Sequence, residues 1–224
     1  MSTDQAGATR DERLAPLPDD EDAGTLGFER LVFFSDAVFA IVITLLVLPL
    51  TAEIDLPEGA GGLAGRVLDE WPKVLTFVVS FLVVGQFWTA HHRIFGLIRR
   101  DDPGLLWLNL VLLMTVAFMP FPAALLGART DAGDAFPVVF FAASMTLTSC
   151  ALTATWLYAT RRGLVRASVG SGRIRQVRVR GFVTSGIMAL SVPAALLGLP
   201  VAVALWLGVL PAVRALVARR LPAV

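Results

Sequence analysis

Few residues in this chain have the types and spacing to do chemistry, and the most telling of them stand where charge is costly. Asp36 falls inside an apolar run, beside Ser35 and six residues after Arg30. An ionisable side chain at such depth needs a partner within the protein or a watered path, and so points to function. His91, His92 and Arg93 close a second apolar run, with Trp88 just before them, and Asn109 lies within a third. This set suits a hydrogen-bonded network and is poor material for hydrolysis. There is no His-Glu-two-residue-His pair and no serine nucleophile elbow, and Asp36 is the one acid inside a span. The chain is therefore read as no enzyme, with no cofactor and no metal site. Its single Cys150 excludes an internal disulfide and a cysteine cluster, and its apolar neighbours suggest a small buried hydrophobe.

The elements that must position these groups follow from composition. Of 224 residues, 56% are hydrophobic and 17% charged, too apolar a balance for a soluble domain. About 20 apolar residues in a helix cross the roughly 30 Å hydrocarbon core of a bilayer. Six such runs are read, over residues 29–50, 72–95, 105–126, 135–160, 181–197 and 201–217, within a transmembrane domain of residues 28–220. The fold class expected is thus an all-α integral membrane protein. Residues 1–27 are polar and acidic, lack the apolar core of a signal peptide, and read as a disordered cytoplasmic tail.

Arg161, Arg162, Arg166, Arg173, Arg175, Arg178 and Arg180 fall between the fourth and fifth runs, whereas Glu53, Asp55, Glu58, Asp69 and Glu70 fall between the first and second. Basic loops stay inside, so both termini are expected in the cytoplasm of a cell-membrane protein. The arginines read as topogenic and as contacts to lipid headgroups. No aromatic interleaving or recognition motif suggests nucleic acid.

At 100° per residue, Arg30, Phe34, Ala37, Ile41, Leu45 and Leu48 share an arc of about 80°, while Ser35 and Asp36 lie on the other side. One stripe of the first helix is thus almost purely aliphatic beyond Phe34. The opposite face carries polar groups whose natural partners are Trp88, His91 or His92, and Asn109. Arg30, on the stripe's own face, either folds back to Asp36 or snorkels to the interface. A His bonded to Asp36 would make the first helix sensitive to pH. Thr44, about 60° from Ile41, offers a hydroxyl at the edge of the stripe or bonds the carbonyl four residues back.

The run Arg30-Leu31-Val32-Phe33-Phe34-Ser35-Asp36, with its continuation Ala37 to Leu46, resembles the endolysosomal potassium channel called transmembrane protein 175 and its bacterial homologues. Phe87-Trp88-Thr89-Ala90-His91-His92-Arg93-Ile94-Phe95, Asn109 and Phe118-Met119-Pro120-Phe121-Pro122 carry the likeness onward, over residues 28–127. The resemblance implies one six-helix repeat per chain, a homotetramer, and a central potassium path lined by the first helix. It also implies that Ile41, Leu45 and Leu48 form the narrowest constrictions. No Thr-Val-Gly-Tyr-Gly filter is present. A ring of aliphatic side chains gates instead by dewetting, and moderate potassium selectivity is expected of it. The rival readings are a secondary cation transporter, which would call for discontinuous helices that the first span does not show, and a non-transporting accessory protein.

Overall fold

Lipid offers no hydrogen-bond partners, so an apolar chain of this kind must satisfy its backbone within helices. The computed structural model describes residues 20–51, 70–128 and 134–220, and among these the secondary structure is helical apart from one isolated antiparallel bridge. Six segments are long and apolar enough to cross a membrane: Leu26–Leu50, Trp71–Phe95, Pro103–Gly127, Phe136–Arg161, Ser171–Leu197 and Leu199–Val217. The acids Glu53, Asp55, Glu58 and Asp69 lie outside the described residues, as does the tail through residue 19.

The first helix begins at Asp20, so the last eight residues of the segment read as a disordered tail are helical. Extending a helix already nucleated within the span adds a hydrogen bond per residue at little cost. Its regular course ends at Leu45, and a short turn leads to a further helical piece, Leu48–Thr51. Pro49 has no N–H to return to Leu45, and the ladder is replaced there by a Val47 N–H to Thr44 O bond of 3.3 Å.

The second and third spans are joined by a tight connection. Pro103 occupies the first turn of the third span, and Asp102 caps it by accepting from the Leu105 amide at 2.8 Å. The third span is a Pro103–Ala117 helix and a Pro120–Gly127 helix, separated at Phe118 and Met119 where Pro120 and Pro122 interrupt the donor ladder.

The fifth span differs most from expectation. Its helix begins at Ser171, ten residues before the expected start, because Arg is a good helix former and a basic segment need not be a loop. Arg173, Arg175, Arg178 and Arg180 therefore ride on the fifth helix, Arg161 ends the fourth, and the connection itself keeps Arg162 and Arg166. A turn at Gly198, whose φ of 106° suits glycine, starts the sixth span. That span contains a π-helical stretch, Ala204–Val209, before Leu210–Arg220. Each of the last two spans is long enough to cross.

The fourth and fifth spans make the most extensive pairing in the fold. Small polar residues let them approach: Ser185 Oγ lies 2.9 Å from Ser149 Oγ and 3.1 Å from Thr153 Oγ1, and Gly181 faces Thr153 so closely that a Cβ would stand 3.0 Å from its Oγ1. Close packing of small residues is the main adhesive between helices in lipid, where the hydrophobic effect gives none. Cys150 is exposed on this helix, contrary to the buried position its apolar neighbours suggest, since an outward face of a membrane helix is as apolar as its inner one. The connections after the second and fourth spans are zipped together by Arg99 N–H to Leu164 O at 2.9 Å and Arg166 N–H to Leu97 O at 3.0 Å. They therefore share one end of the bundle.

Candidate functional site

The first helix divides into two faces. Phe28, Leu31, Ser35, Phe39, Val42 and Leu46 recur every three or four residues and are buried against the second and third spans. The aliphatic stripe points the other way: Ile41 is 58% exposed, Leu45 38% and Leu48 54%, and Phe34 is also exposed. Leu48 stands beyond the break before Pro49, so it belongs to the stripe as an exposed residue of the following turn and not as a continuation of one regular helix. Thr44, on the edge of the stripe, is exposed and donates its hydroxyl proton to Ile41 O at 2.7 Å. What it has left to offer is oxygen lone pairs, the polarity a cation needs.

The buried face is tied down by a chain of polar groups. Ser35 Oγ donates to Leu31 O at 2.8 Å and accepts from Asn109 Nδ2 at 2.9 Å, and Asn109 Oδ1 lies 3.2 Å from His91 Nε2. With the serine proton committed to the helix, the amide must present its NH2 to Ser35 and its oxygen to His91, which fixes the proton on Nε2. All three side chains are fully buried. The imidazole is wedged between Phe95, stacked on it at 4.0 Å between centroids, and Phe39 at 5.4 Å, while Phe28 stacks beyond Phe95 at 6.2 Å.

Asp36 is held separately. Trp88 Nε1 donates to its Oδ1 at 2.9 Å, and His92 lies against the same indole with centroids 5.7 Å apart. Neither histidine hydrogen-bonds Asp36 among the described residues. Arg30 is exposed, and among the described residues it forms no ion pair with Asp36. The groups named from sequence thus form two anchors: Ser35, Asn109 and His91 inside, Asp36 and Trp88 at the half-exposed edge.

Two further clusters carry no such sequence motif. At the end of the bundle where the basic connections lie, Asp102 accepts from Tyr158 Oη at 3.0 Å and stands 3.6 Å from Arg162 Nε. Burial alone would raise its carboxyl, but the Leu105 amide, the Tyr158 hydroxyl and Arg162 together hold it below the ordinary carboxylate range. Gly104 makes this possible, because a Cβ there would collide with the Tyr158 hydroxyl. The second cluster joins Arg214 of the sixth span to Thr184 Oγ1 at 3.1 Å and to Gln86 Oε1 at 3.3 Å. An arginine and a glutamine inside apolar spans were the available signals for it.

Fold and site together define a multi-pass α-helical membrane protein whose first helix is anchored on one side by buried polar groups and left with an uncovered aliphatic face on the other. The family described as endosomal/lysosomal potassium channel TMEM175 matches residues 30–120, which contain both anchors. A potassium channel of Streptomyces collinus is 38% identical over 154 residues, 67% of this chain and 74% of that relative. The human endosomal/lysosomal proton channel TMEM175 is 34% identical over 116 residues, 50% of this chain and 22% of the human one. Among solved structures, the crystal structure of a lysosomal potassium-selective channel TMEM175 homologue from Chamaesiphon minutus aligns with a TM-score of 0.67 at 29% identity, over 88% of this chain and 100% of that one. The chain belongs to the TMEM175 family, which is a family of ion channels and not of enzymes.

Proposed function

We propose that this chain is the subunit of a potassium-permeable, moderately selective cation channel, a homotetramer in the cell membrane with both termini cytoplasmic. The observation that carries the reading is the uncovered stripe of Ile41, Leu45 and Leu48 on a helix whose opposite face is anchored by Ser35 and Asp36. Four such helices around one axis would turn the stripes on each other. Ile41, Leu45 and Leu48 then form the constriction, a ring that excludes water and ions when narrow and admits both when it widens slightly. Thr44 offers its lone pairs at the margin of that path. Ser35, Asn109, His91, Asp36 and Trp88 hold the helix at the radius the constriction needs, with Phe34, His92 and Arg30 at its cytoplasmic end.

Orientation is supported by charge: the basic connections share one end, and the sixth span ends in Arg219 and Arg220 at that same end. The relatives named potassium channels support the ion. A transporter would call for a discontinuous helix near the midplane; the first helix is regular from Asp20 to Leu45, and its break at Leu46 and Val47, ahead of Pro49, falls near the far end of the span.

The test is reconstitution in liposomes and current recording under potassium against sodium, for the native chain and for Ile41→Asn. Native currents should reverse on the potassium side of zero selectivity, and the substitution should enlarge them and weaken their gating by wetting the ring. Silence from both, in a folded tetrameric preparation, would reject the channel.

A further inference from the structure

A cavity of about 860 Å³ lies between the second, fourth, fifth and sixth spans, at the end of the bundle where the basic connections meet. Its walls are mainly apolar, with Phe81, Leu82 and Leu152 among them, but Arg93, Arg180 and Arg214 reach it from three different helices. Arg173 lines it as well, and no acid does, among the described residues.

The donors outnumber the acceptors. Arg214 spends two of its five N–H groups on Thr184 and Gln86. The Nε of Arg180 is buried without a hydrogen-bond partner, and so is the indole Nε1 of Trp156, a wall residue that is 1% exposed. None of the three arginines forms an ion pair among the described residues. Arg180 stands nine residues into its helix, about 14 Å along the axis from Ser171, and is partly buried. Like charges gathered in an apolar setting repel one another and are costly unless something anionic completes them.

We propose that this cavity is the binding site of a phospholipid with an anionic headgroup, its phosphate seated among Arg93, Arg180 and Arg214 and its acyl chains lying along Phe81 and Leu82. Both halves of the site are needed for that choice. Free phosphate would satisfy the guanidinium groups but leave the apolar walls bare. Phe81 and Leu82 are 42% and 46% exposed, so the cavity opens onto an apolar outer face of the chain where acyl chains can lie. Basic pockets between transmembrane helices take phospholipid headgroups in this way.

The experiment reads binding and does not depend on ion conduction. Full-length protein in detergent is stripped of lipid and titrated with phosphatidylglycerol or phosphatidylcholine of the same chains, and retained lipid is counted by native mass spectrometry. Thermal stability is followed in parallel, with inorganic phosphate as a third arm. Phosphatidylglycerol should be retained at least about tenfold more tightly than phosphatidylcholine, and Arg180→Gln/Arg214→Gln should abolish that preference. Arg175→Gln, an equal kind of charge loss on an exposed position of the same helix, should leave it unchanged.

Equal retention of the two lipids by the native chain would overturn the proposal, and this result needs no variant to fold. So would an undiminished preference in the double variant, or stabilisation by inorganic phosphate equal to that by phosphatidylglycerol.

Discussion

Asn109 is the residue on which the inner anchor turns, because it accepts from one side chain and donates to another across three helices. Replacing it by Ala leaves the His91 Nε2–H without an acceptor in a site closed by Phe39 and Phe95. Polar contacts of this kind contribute about 1–2 kcal/mol in membrane helices, so Asn109→Ala should lower the melting temperature measurably. Ser35→Ala should cost less, and the double variant less than the sum, which a double-mutant cycle on thermal unfolding would read. Asp102 gives a prediction with a sign. Its carboxyl is held below its ordinary range in the folded chain. Its stabilising contacts are therefore complete above the unfolded value of about 3.9 and are lost as pH falls through the lower folded value. Asp102→Ala should be less stable than the native chain at pH 7, by about 0.5–2 kcal/mol for a lost cap, and the gap should close as the solution is made strongly acidic.

At the scale of elements, what holds the spans together is closeness. Gly104, in the first turn of the third span, lets the Tyr158 hydroxyl of the fourth reach Asp102. Gly104→Ala drives a methyl group into that hydroxyl and must displace either the ring or the helix end. A loss of about 1–3 kcal/mol is expected, read as a lower melting temperature in detergent. The spans themselves were largely legible as apolar runs. Where a boundary moved, as for the fifth span, the cause was a basic segment that is helical: charge marks the end of a helix poorly.

For the whole molecule, the exposed stripe of the first helix is the feature that the described part of a single chain leaves uncovered. If four copies close around it, light scattering corrected for detergent should give about four times the chain mass of 24.0 kDa. A monomeric mass in a folded preparation would remove the proposed pore. Family membership adds the scale of comparison: the structural match covers 100% of the Chamaesiphon minutus channel chain, whereas the sequence match to the human protein covers 22% of its length.

Sequence by itself determined that the chain spans a membrane, because length and apolarity of a run are local properties that no neighbour alters. It likewise determined the period of the first helix, hence which residues share its stripe, and the likeness carried by Arg30, Ser35 and Asp36. Tertiary structure alone decided which polar groups meet. Among Trp88, His91, His92 and Asn109, spacing permitted several pairings; the rotation of the second span gives Trp88 to Asp36 and turns His91 inward to Asn109. It also decided that Arg93, Arg180 and Arg214, more than a hundred residues apart at their extremes, line one cavity. Such convergence depends on the crossing of four helices, which the packing of small residues such as Gly181 and Ser185 sets and no local pattern records.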